Sequence, residues 1–411
     1  MKKPLSLFAG FGIELEYMIV NTSSLDVAPI SDRLIHKVAG EYANEIERGK
    51  IAWSNELALH VIELKTNGPA KDLNDLPELF LGEIRAINTL LQPMQAKLMP
   101  SGAHPWMNPD TEAKLWPHEQ NPIYESYNRI FDCRGHGWSN LQSAHLNLPF
   151  ADDLEFARLH SAIRLILPII PALSASTPII GSKPTGVIDT RLEFYRKNQQ
   201  KLSLISGKVI PECVSSKREY ETKILQPMYQ QIAPFDPEGI LQEEWLNSRG
   251  AIARFDRNAI EIRIIDTQEC PLADIAIIFA IVTILKALVA EQWQTLSEQQ
   301  HWSEDELARI FVEVVKNGQS TFIDNADYLN AFGYHGHSCS AKELWQHLLA
   351  ATLPKQHVFA DPLTLILSQG NLSERILRAF EREPSAANLK TIYAALTECL
   401  QQNKLFSNGP V

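Results

Sequence analysis

The stretch Phe11–Val20 reads Phe-Gly-Ile-Glu-Leu-Glu-Tyr-Met-Ile-Val and constrains the fold more than any other segment. Its β-branched and aromatic residues, alternating with period two, predict a strand. Glu14 and Glu16 then project from one face, and Ile13, Leu15 and Tyr17 from the other. Adjacent carboxylates repel, so a strand gains nothing by setting them side by side. Either a cation lies over that face or the face is open to water.

The same device recurs, which favours the cation. The second half of Trp53–Thr66 alternates and stops at Asn67-Gly68-Pro69, predicting a strand with Glu63 on the face of Val61 and Lys65. Glu56 has the opposite parity. It joins Glu63 at one site only if the strand begins after Glu56 or carries a bulge. Ser143–Leu148 predicts a third strand with His145 and Asn147 on one face, and Ala259–Asp266 a fourth with Glu261 and Arg263. An antiparallel sheet sets strands distant in sequence side by side. One sheet face is therefore expected to collect the five glutamates with His145, Asn147 and Arg263. Taken singly, each pair has a plainer explanation: a solvated face, a core histidine, or a surface ion pair worth less than about 1 kcal/mol. Recurrence on separate apolar strands is what a solvated face does not explain.

Hard oxygen ligands suit Mg²⁺ or Mn²⁺ rather than zinc. Magnesium usually takes only one or two protein carboxylates, so this many glutamates imply two or three ions bridged by a polyphosphate. Arg263 beside them suits stabilisation of a phosphoryl group in transfer. The chain has no Gly-x4-Gly-Lys-Ser/Thr loop, which excludes a P-loop enzyme. His335-Gly-His337-Ser-Cys339 has metal-like spacing but lacks a fourth ligand.

Around the strands the periodicity becomes helical. Asp75 is expected to cap a long helix with Pro77 in its first turn, and the ladder Leu76, Phe80, Ile84, Ile87, Leu91, Met94, Leu98 predicts that the helix is amphipathic and backs the sheet. Leu154–Ile170 predicts a helix bent or ended by Pro168 and Pro171. Pro271 opens an apolar helix running to about Glu291. Its apolar run, Ile275–Leu285, falls short of the roughly 20 residues that cross a bilayer, so it reads as buried. Ser303 with Glu306 and Ser340 with Glu343 are capping boxes, and a further helix is expected over 385–400. The expected fold is α+β: a catalytic antiparallel-sheet domain with flanking helices over 1–295, and a helical C-terminal region over 296–411 packed on it.

The net charge of −11, with no basic run, argues against a nucleic-acid partner. Five scattered cysteines without a Cys-x-x-Cys pair point to reduced thiols and a cytoplasmic location. Lys2 and Lys3 precede only a short apolar stretch that Glu14 and Glu16 interrupt, so no signal peptide and no membrane partner are expected.

These residues resemble the glutamate–cysteine ligases and related carboxylate–amine ligases. Gly-Ile-Glu14-Leu-Glu16-Tyr looks like their opening metal strand, and Glu56-Leu-Ala-Leu-His-Val-Ile-Glu63 like their second acidic strand. Ser101-Gly-Ala-His104-Pro, Ser143-Ala-His145-Leu-Asn147, Leu173-Ser-Ala-Ser-Thr-Pro178 through Arg191, and Glu261-Ile-Arg263 are similar to further family segments in the same order. The resemblance implies a glutamine-synthetase-like sheet funnel over the metals, ATP with Mg²⁺ (Mn²⁺ substituting), and a γ-glutamyl amide formed through an acyl phosphate. Carried over, Glu14, Glu16, Glu56, Glu63, His145 and Glu261 hold metal, while His145, Asn147 and Arg263 reach the nucleotide. Glu63 and Arg263 are catalytic, and His104, Arg191 and Arg254 bind substrate. The implied partners are small molecules: glutamate, ATP, and cysteine or another amine. A homo-oligomer is compatible with the sequence, which does not decide it. Ala103-His104-Pro105, Pro184-Thr185-Gly186 and the loop Arg134-Gly-His-Gly-Trp138 depart from the family pattern near where the acceptor is expected. The competing reading is a metal–nucleotide-binding protein without turnover.

Overall fold

The structure is a computed structural model and describes residues 4–354 and 356–407. At its centre, strand β1 (Gly12–Asn21) buries Ile13, Leu15 and Tyr17 completely on one side. The alternation read from the sequence is thus the alternation of the sheet. A meander of β2 (Glu45–Arg48), β3 (Ile51–Asn55) and β4 (Val61–Thr66) lies along one edge of β1. On the other edge β1 pairs first with β6 (Ser143–Pro149) and then, from Met18 onward, with β5 (Ala96–Met99). Beyond β6 come β10 (Ala259–Asp266) and β9 (Ala251–Arg254), and every pairing is antiparallel. Strands β7 (Ile179–Ile180) and β8 (Lys183–Pro184) form a small separate ribbon.

The apolar face of the sheet rests on three helices, Leu76–Leu91, Asp153–Ile166 and Pro271–Val289, with the last packed against the other two. Pro271–Val289 is long and apolar enough to cross a membrane, but 72% of its apolar window is buried inside the fold, as expected of a core helix. Leu307, Phe311, Trp345 and Leu348 from the C-terminal helices join the same apolar cluster as β1. Both capping boxes are formed, with Ser303 and Ser340 each bonded reciprocally to a glutamate three residues on.

Three sequence readings change. The ladder that ran to Leu98 stops at Leu91, because Pro93 lies in a short 3-10 turn and Gln95 takes a left-handed φ of 55°. Leu98 therefore belongs to β5. Asp75 precedes the helix but makes no capping bond. Strands β2 and β3 lie in segments without a strand signal of their own.

Candidate active site

The polar face of the sheet is assembled by register. Across β4, β1 and β6, Lys65, Glu14 and His145 stand in one row, and Glu63 faces Glu16 in the next. Asn147 pairs with Gly12 on one side and Glu261 on the other. A side chain at Gly12 would meet the Asn147 Cβ at 2.9 Å, so glycine there lets Asn147 lie across β1 and donate to Glu14 at 3.0 Å. Glu56 sits in the turn between β3 and β4, since β4 begins only at Val61. Of the two alternatives, the strand starting after Glu56 is the one found.

Two groups of acids result. Glu14, Glu63 and His145 each bring a donor atom within 4.8 Å of the other two, and Glu16, Glu56 and Glu63 do the same. Glu63 belongs to both. Ser54 Oγ donates to Glu63 Oε1 at 2.5 Å and fixes its carboxylate. The backbone N–H of Ser143 donates to Glu16 at 2.9 Å. His145 Nδ1 lies 2.9 Å from Glu14, and its Nε2 lies 2.9 Å from Ser143 Oγ.

The cluster is short of positive charge. Only Lys65 (3.5 Å from Glu63) and His145 (2.9 Å from Glu14) lie within ion-pair distance of these four carboxylates among the described residues. Burial and the nearby Glu14 push the Glu63 carboxyl up to about 7. Burial, then the charges of Glu16 and Glu63, hold Glu56 well above the usual carboxylate range. Burial works against the charged forms of Glu14 and His145 as well, but their mutual bond wins. It lowers Glu14 to about 2 and raises His145. Two overlapping sets of frustrated, hard-oxygen donors are what a pair of divalent cations relieves. The residues fit the expected ions.

Arg263 stands at the edge of this cluster, its Nε 2.9 Å from Glu261 Oε1. Between Ile262 and Ile265 the register with β6 shifts, so Arg263 and Ile264 together oppose His145 in a β-bulge. The bulge carbonyl of Arg263 accepts from Arg191 Nη2 at 2.8 Å. Arg254 Nη1 lies 3.6 Å from the other Glu261 oxygen. Glu261 is thus held by two arginines and lies 3.7 Å from His145, outside both triads. Arg191, Arg254 and Arg263 all line a cavity of about 600 Å³ that also reaches Glu16, Glu56, Glu63 and His145. A second cavity of about 400 Å³ opens on the Gly12, Glu14 and Asn147 side. The two meet at Glu45, Lys65 and Arg257.

His104 is placed differently from expectation. It is fully buried, with Nε2 2.8 Å from the Leu25 carbonyl and Nδ1 accepting from the N–H groups of Trp106 and Met107. Burial lowers it to about 4, so it is a neutral loop-fixing histidine away from both cavities rather than a substrate ligand. His335, His337 and Cys339 form no metal-binding group among the described residues. The sequence reading missed Ser54, the Ser143 backbone and Asp266. Ser54 was hidden because β3 is buried on both faces and shows no alternation.

The model of glutamate–cysteine ligase family 2 matches residues 10–395. An uncharacterized protein of Archaeoglobus fulgidus is 33% identical over 396 residues, covering 96% of this chain and 99% of its own. Among solved structures, a glutamate–cysteine ligase of Francisella tularensis in complex with AMP superposes with a TM-score of 0.62 at 13% identity, over 98% of this chain and 89% of that one. The complex of the prokaryotic ubiquitin-like protein Pup with its ligase PafA gives 0.52 at 11% identity, over 98% and 78%. The structural likenesses establish a shared fold of antiparallel sheet and helices, glutamine-synthetase-like as expected. By a family match that spans nearly its whole length, this chain belongs to glutamate–cysteine ligase family 2 and so to the carboxylate–amine ligases.

Proposed function

We propose that this chain joins the γ-carboxylate of glutamate to an amine in an ATP-dependent reaction, with cysteine as the first acceptor to test because the family is named for it. The observation that carries the reading is the pair of acidic triads sharing Glu63, with Arg263 at their edge.

In the proposed reaction the bond between the γ-phosphorus of ATP and ADP breaks as an O–P bond forms to the glutamate carboxylate. The amine nitrogen then forms a C–N bond as the C–O bond to phosphate breaks. Inorganic phosphate leaves, and the nitrogen loses one proton. A carboxylate is a poor electrophile, and the phosphate supplies its leaving group. Divalent ions held by Glu14, Glu16, Glu56, Glu63 and His145 would supply positive charge for the phosphates. Arg263, in the cavity wall, offsets charge on the moving phosphoryl. Ser54 and Ser143 keep the Glu63 and Glu16 carboxylates aimed, and Arg191 pins the bulge that carries Arg263. Arg254 and Arg257 line the cavity where the carboxylates of glutamate would enter.

The test follows ADP release from ATP with glutamate, Mg²⁺ and an amine, and weighs the product. Release that needs all four components, with a product heavier than the amine by a glutamyl group, supports ligation. ATP binding without amine-dependent ADP release supports a binding protein instead.

A further inference from the structure

The lining of the larger cavity is of two unlike kinds. One is the acidic cluster. The other is aromatic, formed by Tyr127, Trp138, Tyr195 and Trp245. The Tyr127 ring centroid lies 5.3 Å from that of Trp138 and 6.0 Å from that of Trp245. Phe131 stacks behind Trp138 at 5.3 Å and fixes its plane. Trp138 comes from the segment Arg134-Gly-His-Gly-Trp138.

The aromatic part of the lining also holds unused polar atoms. Gln199 is 3% exposed and lines the cavity, and its Nε2 donates to Ser248 Oγ at 3.0 Å. Its Oε1 is buried without a partner, as is the Tyr195 hydroxyl four residues earlier. A buried carbonyl oxygen with no donor is costly unless a ligand completes it. The donor that a ligase brings to this place is the N–H of its amine.

We propose that the acceptor is a primary amine bearing an aromatic ring, bound with the ring among Tyr127, Trp138 and Trp245 and the nitrogen directed to Gln199. The inference rests on the ligase reading and names the substrate class of that site. Cysteine would leave most of these ring surfaces facing water. In an apolar pocket even one methylene is worth roughly 10- to 200-fold in kcat/KM. The second cavity, beside Gly12 and Glu14, leaves separate room for a nucleotide.

The experiment compares phenethylamine, phenylalanine and cysteine as acceptors, with hydroxylamine as a small nucleophile that traps the acyl phosphate without using the aromatic wall. An aromatic amine should exceed cysteine in kcat/KM by roughly tenfold or more. Trp245→Ala and Gln199→Leu should lower the aromatic amine's kcat/KM relative to that of hydroxylamine, while the KM for ATP stays near wild type. Cysteine equal to or better than both aromatic amines would overturn the proposal while hydroxamate formation upheld the ligase. A raised KM for ATP in Trp245→Ala would also overturn it, by giving the wall to adenine. Absence of hydroxamate with wild-type protein would overturn the ligase reading and the proposal together.

Discussion

Arg191 Nη1 lies 3.1 Å from Asp266 Oδ1, and both side chains are buried. The pair ties the site to its support. The other Asp266 oxygen accepts from the Ser176 N–H at 2.9 Å and the Thr177 hydroxyl at 3.0 Å, and Gly102 is there because a Cβ would meet the Asp266 carboxyl at 2.8 Å. Two loops and the short helix Thr190–Tyr195, all distant in sequence from the strand end, thus converge on one carboxylate, and Arg191 passes its position to the carbonyl of Arg263. Removing one partner of a buried pair leaves an uncompensated charge, at about 3–5 kcal/mol. Asp266→Asn should lose about that much stability in urea unfolding and should lower kcat more than it raises KM for ATP. Wild-type stability in this variant would show that the pair does not anchor the bulge.

Glu63 should matter to turnover and not to folding. Glu63→Gln keeps the Ser54 contact in shape but removes the charge common to both triads. Loss of an outer-shell partner of a metal ligand costs roughly 10- to 100-fold in metal affinity or activity, so loss of a ligand itself should cost at least that. Turnover near wild type under saturating Mg²⁺ would remove Glu63 from the mechanism.

In the metal-free protein the stability that Glu63 contributes should fall as pH rises. The folded Glu63 carboxyl titrates near 7 instead of 4.5, so between those values the folded state holds a proton the unfolded state has lost. Its contribution is fully present below 4.5 and gone above 7. Mg²⁺ or Mn²⁺ should therefore raise the melting temperature more at about pH 8 than at about pH 5. An equal rise at both would contradict the charge frustration.

His160 acts in the opposite direction. It is buried beside Phe156, their rings 5.2 Å apart, and burial lowers it to about 3 from 6.5. The unfolded state takes up a proton that the folded state refuses, so the stability it contributes is full above 6.5 and lost as pH falls toward 3. Replacing it with leucine should flatten the fall of stability below pH 6.5 by up to about 1.4 kcal/mol per pH unit. Parallel curves for the two proteins would refute it.

The site was legible where alternation was clean. Glu14, Glu16, Glu63, His145, Asn147 and Glu261 sit on strands with one apolar and one polar face, so parity alone put each on the right side. Glu56 could not be placed by parity because it lies in a turn. Strand β2 escaped notice because Glu45–Arg48 is largely exposed and charged, and β3 because all five of its residues are buried. The sequence hid the partners of the cluster as well. Asp266 at a strand end and Trp138 and Trp245 on separate short helical turns acquire meaning only when the fold brings them to Arg191 and Tyr127. His104 misled because a histidine in a conspicuous loop can be fixing that loop.

The central claim is that the shared acidic face binds more than one divalent ion, with Glu63 common to them. Titration of the wild-type protein and Glu63→Gln with Mn²⁺, read by the paramagnetic resonance of the free ion, tests it most directly. The account predicts at least two ions per wild-type chain and a marked loss of both affinity and stoichiometry in the variant. A wild-type chain that binds no Mn²⁺, or a variant that binds the same number as tightly, would contradict it.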